Sequence, residues 1–281
     1  MLWQILFNER NAQALASHLW HIREIRILAY SMQSGQEQYT WLTSPAPILD
    51  TLNLRMDRSD PPHDRTVLPP ILFGGHAPRL RHIHLGGFSN FTWTSPMLDN
   101  LVSLVLTDAE RAPLDEVLAA LERMRATLQH LEFGGSVPQS SDVSRRSLLD
   151  LPALTTLRLE DDAVSCIALL SRLRLPSTVR LHFECTADGR GNDFHALFLA
   201  LATHLGRDVT APTPLDISFT AHDTLLEVEV TRHPRDYDTA VDLKLSLHWP
   251  QDSSAAFDFM QASWRLFSPC RLASVGWNFS A

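Results

Sequence analysis

Three hexapeptides in the middle of the chain share one pattern of apolar residues: LRHIHL at 80–85, LVSLVL at 101–106 and LQHLEF at 128–133. In each of them the first, fourth and sixth places are apolar. The fourth and sixth places share one face of a short β-strand, because successive side chains of a strand point to opposite sides. The pattern therefore predicts strands that bury one face and present their third and fifth places on the other.

The same pattern extends in both directions along the chain. Seven copies are found, at 22–27, 49–54, 80–85, 101–106, 128–133, 154–159 and, more weakly, 178–183. Their first places are separated by 27, 31, 21, 27, 26 and 24 residues. A period of roughly 20 to 29 residues is typical of leucine-rich repeats, in which each unit covers the apolar face of its neighbour.

The segments between the strings predict helices. Residues 113–126, 161–172 and 193–206 each carry apolar side chains at helical spacing. Strand, turn and helix in regular alternation predict an α/β fold: a leucine-rich-repeat solenoid, with a curved parallel sheet and outer helices.

The pattern changes after about residue 210. Alternating apolar residues predict strands at 215–219, 226–230, 241–249 and 275–279, and a helix is predicted at 255–267. The first three of these strands follow one another without a helix, which indicates an antiparallel meander.

We therefore expect a single domain over residues 1–281. Regular repeats occupy 1–210, and an irregular β-rich terminal unit occupies 211–281. The Ser-rich stretch at 134–147 is interpreted as an interruption within the stack rather than a domain linker.

Composition narrows the class of partner. The formal net charge is −8, from 24 Lys and Arg against 32 Asp and Glu, whereas nucleic-acid-binding proteins carry a concentrated basic surface. Three scattered cysteines suggest neither a disulfide framework nor a zinc clip. No apolar stretch approaches the roughly 18 residues of a membrane span. We expect no nucleic-acid or membrane partner, and a cytoplasmic or nuclear location.

No catalytic motif stands out. The chain lacks G-x-S-x-G, H-E-x-x-H and Gly-rich phosphate-loop strings. His82 and His84 share a strand face at about 6.6 Å, too far apart to ligate one ion without bending, and Cys166 falls among apolar neighbours of a predicted helix. We expect no enzymatic activity, no catalytic or metal-ligating residues and no cofactor.

The informative surface is the face opposite the core, here called the inner face. Neighbouring repeats place their third and fifth places side by side on it, and such faces commonly seat protein partners. An ordinary solvated sheet face is the alternative. The candidate partner-binding residues are Arg26, Asn53, His82, His84, His130, Glu132, Arg158, Arg180 and His182.

Longer strings resemble a known family. The segments at 44–54, 72–85, 151–159 and 168–181 are similar to the leucine-rich part of mushroom-type (basidiomycete) fungal F-box proteins. The resemblance covers residues 19–183 well and the rest loosely. It implies the substrate-recruiting part of an F-box-type ubiquitin-ligase subunit, in which a separate F-box docks a Skp-type adaptor.

Two features depart from that family. No F-box pattern precedes the first repeat, so a Skp-type adaptor is expected as a partner only if an F-box lies upstream in the gene. The ninth place of each repeat also lacks the usual Asn or Cys; its residues are Tyr30, Asp57, Phe88, Ala109, Ser136, Asp162 and Thr186. A free-standing leucine-rich-repeat scaffold or inhibitor, unrelated to ubiquitin, remains the alternative function.

Overall fold

The computed structural model describes residues 9–30, 36–57, 66–139, 148–176, 178–186, 196–197, 200–201, 215–222, 225–232, 241–248 and 272–279. It is a mixed α/β structure with a large, mostly parallel sheet and few helices. The chain divides into two compact units, Met1–Pro138 (unit 1) and Gln139–Ala281 (unit 2). The division lies within the Ser-rich stretch at 134–147.

Unit 1 is built on parallel strands. Its strands are β1 (Glu24–Tyr30), β2 (Thr51–Asp57), β3 (Thr66–Val67), β4 (His82–Gly86), β5 (Phe88–Ser89), β6 (Ser103–Thr107) and β7 (His130–Gly134). The five longer strands lie in the order β1-β2-β4-β6-β7, and all four pairings are parallel. The short strands β3 and β5 pair separately, also in parallel. Five of the seven predicted strings therefore form adjacent strands in chain order.

The register of these strands matches the sequence repeat. Leu52, Ile83, Leu104 and Leu131, all fourth places, are successive Cα partners, and each is at most 1% exposed. Apolar side chains of equal repeat position thus stack from strand to strand. The first string is less covered, since Ile22 and Ile27 are only half-buried.

A repeating backbone hydrogen-bond pattern links the strings of unit 1. The carbonyl oxygen at the second place of one string accepts two N–H groups from the next string, those of its second and third places. This occurs at Arg23, Asp50, Arg81 and Val102, with N···O distances of 2.8–3.1 Å. The regularity shows that successive strings are equivalent in backbone conformation and not merely in composition.

A buried position that the sequence pattern missed lies three residues before the first place. Its carbonyl accepts the N–H of the first-place residue, which closes a tight turn ahead of the strand. The residues concerned are Leu19, Ala46, Ala77, Leu98 and Leu151, and none is more than 2% exposed. The buried pattern is therefore longer than the six-residue string.

Three successive strands of unit 1 end in the same left-handed conformation. Gly87 (φ 81°), Asp108 (φ 51°) and Gly135 (φ 60°) follow β4, β6 and β7 directly. Glycine adopts this region without steric cost, and aspartate tolerates it better than most residues. The turn after each strand is thus as regular as the turn before it.

Few of the described residues are helical. The α-helices are α1 (Glu9–His18), α2 (Leu114–Met124) and α3 (Ala163–Leu170), and short 3-10 turns span Leu19–His21, Gln36–Thr43, Leu72–Gly75 and Pro96–Leu98. The helices predicted at 113–126 and 161–172 are confirmed as α2 and α3. Of the third, predicted at 193–206, residues 196–197 and 200–201 are helical and the others lie outside the described residues.

Unit 2 begins like unit 1 and then departs from it. Its strands are β8 (Leu149–Asp150), β9 (Thr156–Asp162), β10 (Leu173–Arg174), β11 (Arg180–Thr186), β12 (Leu215–His222), β13 (Leu225–Arg232), β14 (Val241–His248) and β15 (Leu272–Phe279). The longer strands lie in the order β9-β11-β14-β13-β12-β15, and β8 pairs with β10 in parallel. The predicted meander is confirmed, because β12, β13 and β14 are successively antiparallel.

Two details of unit 2 go beyond the sequence pattern. The last strand of the meander, β14, is the one that pairs with β11, in parallel, so the chain reaches the far side first and returns. In the weak string at 178–183, Thr178 is exposed while its neighbour Val179 is 6% exposed and donates its N–H to the Pro176 carbonyl. Val179 thus takes the first-place role. The helix predicted at 255–267 lies outside the described residues.

Candidate functional site

The sheet of unit 1 aligns the candidate residues in two rows. The third-place row is Glu24, Thr51, His82, Ser103 and His130; the fifth-place row is Arg26, Asn53, His84, Val105 and Glu132. We call these ten residues the unit 1 polar face. Adjacent members lie one strand apart, roughly 4.8 Å, so the rows run across the strands as the sequence predicts.

On β6, the unit 1 polar face places an apolar residue between a histidine and a glutamate. Val105 is 7% exposed, and its Cα partners on either side are His84 and Glu132. His130 Nε2 lies 3.4 Å from Glu132 Oε2, with side chains 33% and 21% exposed. The Glu132 carboxylate therefore lies beside His130 on the same strand, β7, where it can accept a hydrogen bond from a protonated His130.

His84 is in an environment that disfavours its charge. Burial, followed by the Arg55 guanidinium, lowers the pKa of His84; the Glu132 carboxylate opposes this shift and His130 adds to it. Its Nε2 atom is shielded from solvent and has no hydrogen-bond partner among the described residues. The neutral imidazole is thus the form that this position favours.

Arg55 lies close enough to His84 for its charge to lower the pKa of that histidine, and Gly86 lies beside Arg55 on the next strand. Gly86 is the Cα partner of both Arg55 and Thr107. A Cβ at Gly86 would lie 2.8 Å from Thr107 Oγ1, so a larger residue would force Thr107 to shift, whereas its 3.6 Å separation from Arg55 Cγ would be an ordinary contact. Sequence reasoning did not include Arg55 among the candidate residues. It could have done so, because Arg55 is two residues beyond Asn53 on the same strand and therefore points to the same face.

The first strand carries an ion pair of its own. Arg26 and Glu24 contact each other through Nε and Oε1, and both are about half exposed or more, at 64% and 48%. Pairing on the same strand reduces the charge that Arg26 offers to a partner. Arg26 is therefore a weaker anchor than the sequence implies.

Unit 2 extends the pattern with residues that sequence reasoning did not place on a face. Arg158 and His182 are Cα partners, as predicted, and Lys244 and Glu229 continue that row; Glu160, Glu184, Ser246 and Glu227 form the row two residues further along the strands. These eight residues, with Thr156 and Arg180, are called the unit 2 polar face. The signal for the added residues is their alternation with buried Leu243, Leu245 and Val228.

Ion pairs cross the unit 2 polar face. Lys244 Nζ lies 3.3 Å from Glu229 Oε1 and 4.0 Å from Glu227 Oε1, and Arg158 lies 3.6 Å from Glu160. Each side chain is roughly one-third to one-half exposed. Such pairs contribute little to stability in water, so they can exchange partners at small cost when another protein binds.

Neither a metal-binding cluster nor a membrane-spanning helix is found among the described residues. No group of three or more His, Cys, Asp or Glu side chains within the described ranges could hold a metal ion. Over the same part of the chain, no helix combines the length and apolar character needed to cross a bilayer. Both faces carry donors, acceptors and charges of both signs, which can hydrogen-bond a protein segment.

Comparison of the chain with protein-family models, with curated proteins and with solved structures found no match.

Proposed function

We propose that this protein is a non-catalytic, protein-binding domain built as a leucine-rich-repeat solenoid. The observation that carries the proposal is the alignment of five successive strings as in-register parallel strands in unit 1. The repeated backbone bonds before the strands and the left-handed residues after them support it, because equivalent coils recur in that class. The helical content is low for a leucine-rich repeat, and the described connections combine 3-10 turns with α-helix.

The partner in this proposal is another protein, seated on the polar faces. Rows of mixed charge suit an extended protein surface, whereas small-molecule sites are mostly apolar. The resemblance of residues 44–54, 72–85, 151–159 and 168–181 to fungal F-box proteins supports a more specific role. In that role the domain recruits substrates for an F-box-type ubiquitin ligase.

Charge reversal on the unit 2 polar face tests the binding role. Arg158→Glu with Arg180→Glu should reduce recovery of any protein that wild-type chain captures from the native cell, measured by affinity capture and quantitative mass spectrometry. The matched control is Arg125→Glu, at the residue that follows α2, whose side chain pairs with Glu122 and belongs to neither polar face. Equal recovery with all three proteins would contradict the unit 2 polar face as the docking surface.

A separate observation distinguishes the ubiquitin-ligase role from a free-standing scaffold or inhibitor. An in-frame F-box exon in the genomic DNA upstream of the Met1 codon would favour the ligase and would make a Skp-type adaptor a partner. A promoter and stop codons in that position would favour the scaffold. Neither result changes the binding proposal itself.

A further inference from the structure

Unit 2 brings together two cysteines that are 19 positions apart in the sequence. Cys166 is the fourth residue of α3, and Cys185 lies on β11. β9 runs directly into α3, and Cys185 is the Cα partner of Asp161 at the end of β9. Helix α3 contacts β11, and Cys185 is close enough to Cys166 to raise the pKa of its thiol. Both are free, and neither is measurably exposed.

The surroundings keep this pair unreactive in the folded state. The hydrogen bond with Cys185 and burial raise the pKa of Cys166, and the Asp161 and Asp162 carboxylates act in the same direction. The thiolate is the nucleophile in cysteine oxidation. A buried, protonated thiol therefore reacts slowly until it is exposed.

The element that covers the pair is short and depends on one cap. Helix α3 has eight residues, and the Asp162 carboxylate accepts hydrogen bonds from Ser165 N at 2.8 Å and Ser165 Oγ at 2.9 Å. A helix of this length is marginal without its tertiary packing and its cap. Opening of α3 would expose Cys166 while Cys185 stays on its strand.

We propose that Cys166 and Cys185 are an oxidation site, which peroxides convert to an intramolecular disulfide when α3 opens. In the first step one thiolate attacks a peroxide oxygen, the O–O bond breaks, and a sulfenic acid and water form when the oxidant is hydrogen peroxide. In the second step the other thiolate attacks the sulfenic sulfur, the S–S bond forms, and a second water leaves. The two thiols lose two electrons and two protons, and hydrogen peroxide is reduced to two waters.

The disulfide would join α3 to β11 and prevent the opening that allowed it to form. Reduction by a thiol would restore the free pair. Exposure to peroxide would therefore lower the mobility of α3. This effect does not depend on a partner bound to the polar faces.

Hydrogen peroxide and peptide mapping test the site on the full chain in native buffer. After blocking of free thiols, tryptic digestion places Cys166 in residues 159–172, Cys185 in 181–190 and Cys270 in 266–271. The expected product is 159–172 joined to 181–190, formed equally well in the Cys270→Ser variant and lost in Cys185→Ser. Joining of either peptide mainly to 266–271 would overturn the proposal, as would absence of any 166–185 linkage after prolonged exposure.

The cap provides the second arm of the test. Asp162→Ala should speed formation of the linkage about fivefold, because loss of an N-cap raises the open population by about that factor. Glu122→Ala removes an exposed carboxylate from α2 and is the matched control, with no change in rate expected. Equal rates in the two variants would overturn the role of α3 as the gate.

Discussion

Units 1 and 2 use the same strand pattern but connect their strands differently. In unit 1 each long strand pairs with the next one along the chain, always in parallel. In unit 2 this holds for β9 and β11 only; the chain then passes to β12 and returns through β13 to β14 beside β11. The buried faces are alike in both units, with Leu104 on β6 and Leu245 on β14 both fully buried.

The difference shows what strand spacing does and does not specify. Parallel neighbours need a long crossover connection, whereas antiparallel neighbours can be joined by a short turn. Residues 187–214 separate β11 from β12, but only residues 223–224 separate β12 from β13. Alternation of apolar residues thus determines which face of a strand is buried. A two-residue connection favours an antiparallel neighbour, whereas a long connection such as 187–214 leaves the choice of neighbour to tertiary pairing.

The largest expected effect compares one core residue from each unit. Leu104→Ala and Leu245→Ala should each lower the free energy of unfolding by about 2–5 kcal/mol, because each removes a fully buried side chain and leaves a cavity. Urea unfolding monitored by tryptophan fluorescence measures the loss. Leu104→Met and Leu245→Met, which nearly conserve volume, should cost less than about 1.5 kcal/mol. A loss below about 1 kcal/mol for Leu245→Ala would show that β14 is not an interior strand.

The ninth repeat place distinguishes the two units by a hydrogen bond. In unit 1 the buried Ser136 hydroxyl donates to the Leu106 carbonyl at 2.8 Å, and in unit 2 Asp162 caps α3 instead. Ser136→Ala should cost about 1–3 kcal/mol, because a buried carbonyl loses its side-chain donor. The half-buried Ser103 on the unit 1 polar face is the control, and Ser103→Ala should stay within about 0.5 kcal/mol of wild type. Equal effects would mean that the Ser136 bond contributes nothing.

A smaller effect tests the regular turn that ends the strands of unit 1. Asp108→Ala should be less stable than Asp108→Gly by about 1 kcal/mol, because only glycine adopts the left-handed conformation without steric cost. Both variants lose the aspartate side chain, so their difference isolates the backbone. Thermal unfolding of the two proteins measures it. An alanine variant as stable as the glycine variant would show that residue 108 does not need its positive φ.

The sequence predicts the strands and their faces better than it predicts the site. Periodicity places His82 beside Ser103 and Arg158 beside His182, because in-register parallel strands bring equal repeat places together. It fails where tertiary pairing decides: Lys244 joins the Arg158 row only because β14 inserts beside β11. The buried turn residues such as Leu98 were predictable in principle, since an apolar residue recurs three places before most strings. The ion pairs on the faces depend on rotamers that spacing does not specify.

The smallest expected effect concerns the pH dependence of unit 1. Burial and Arg55 lower the pKa of His84 below its ordinary value of 6.5, so the unfolded chain takes up this proton more readily than the folded chain. The free energy of unfolding should therefore fall as pH drops through and below 6.5, and His84→Gln should remove that part of the decrease. Urea midpoints between about pH 7.5 and pH 5.5 measure it.

Asn53→Gln, at the adjacent fifth place, is the control for placing a glutamine side chain on this face. If His84→Gln kept the full decrease, the acid sensitivity of unit 1 would belong to other groups. The polar face would then not hold His84 in its neutral form.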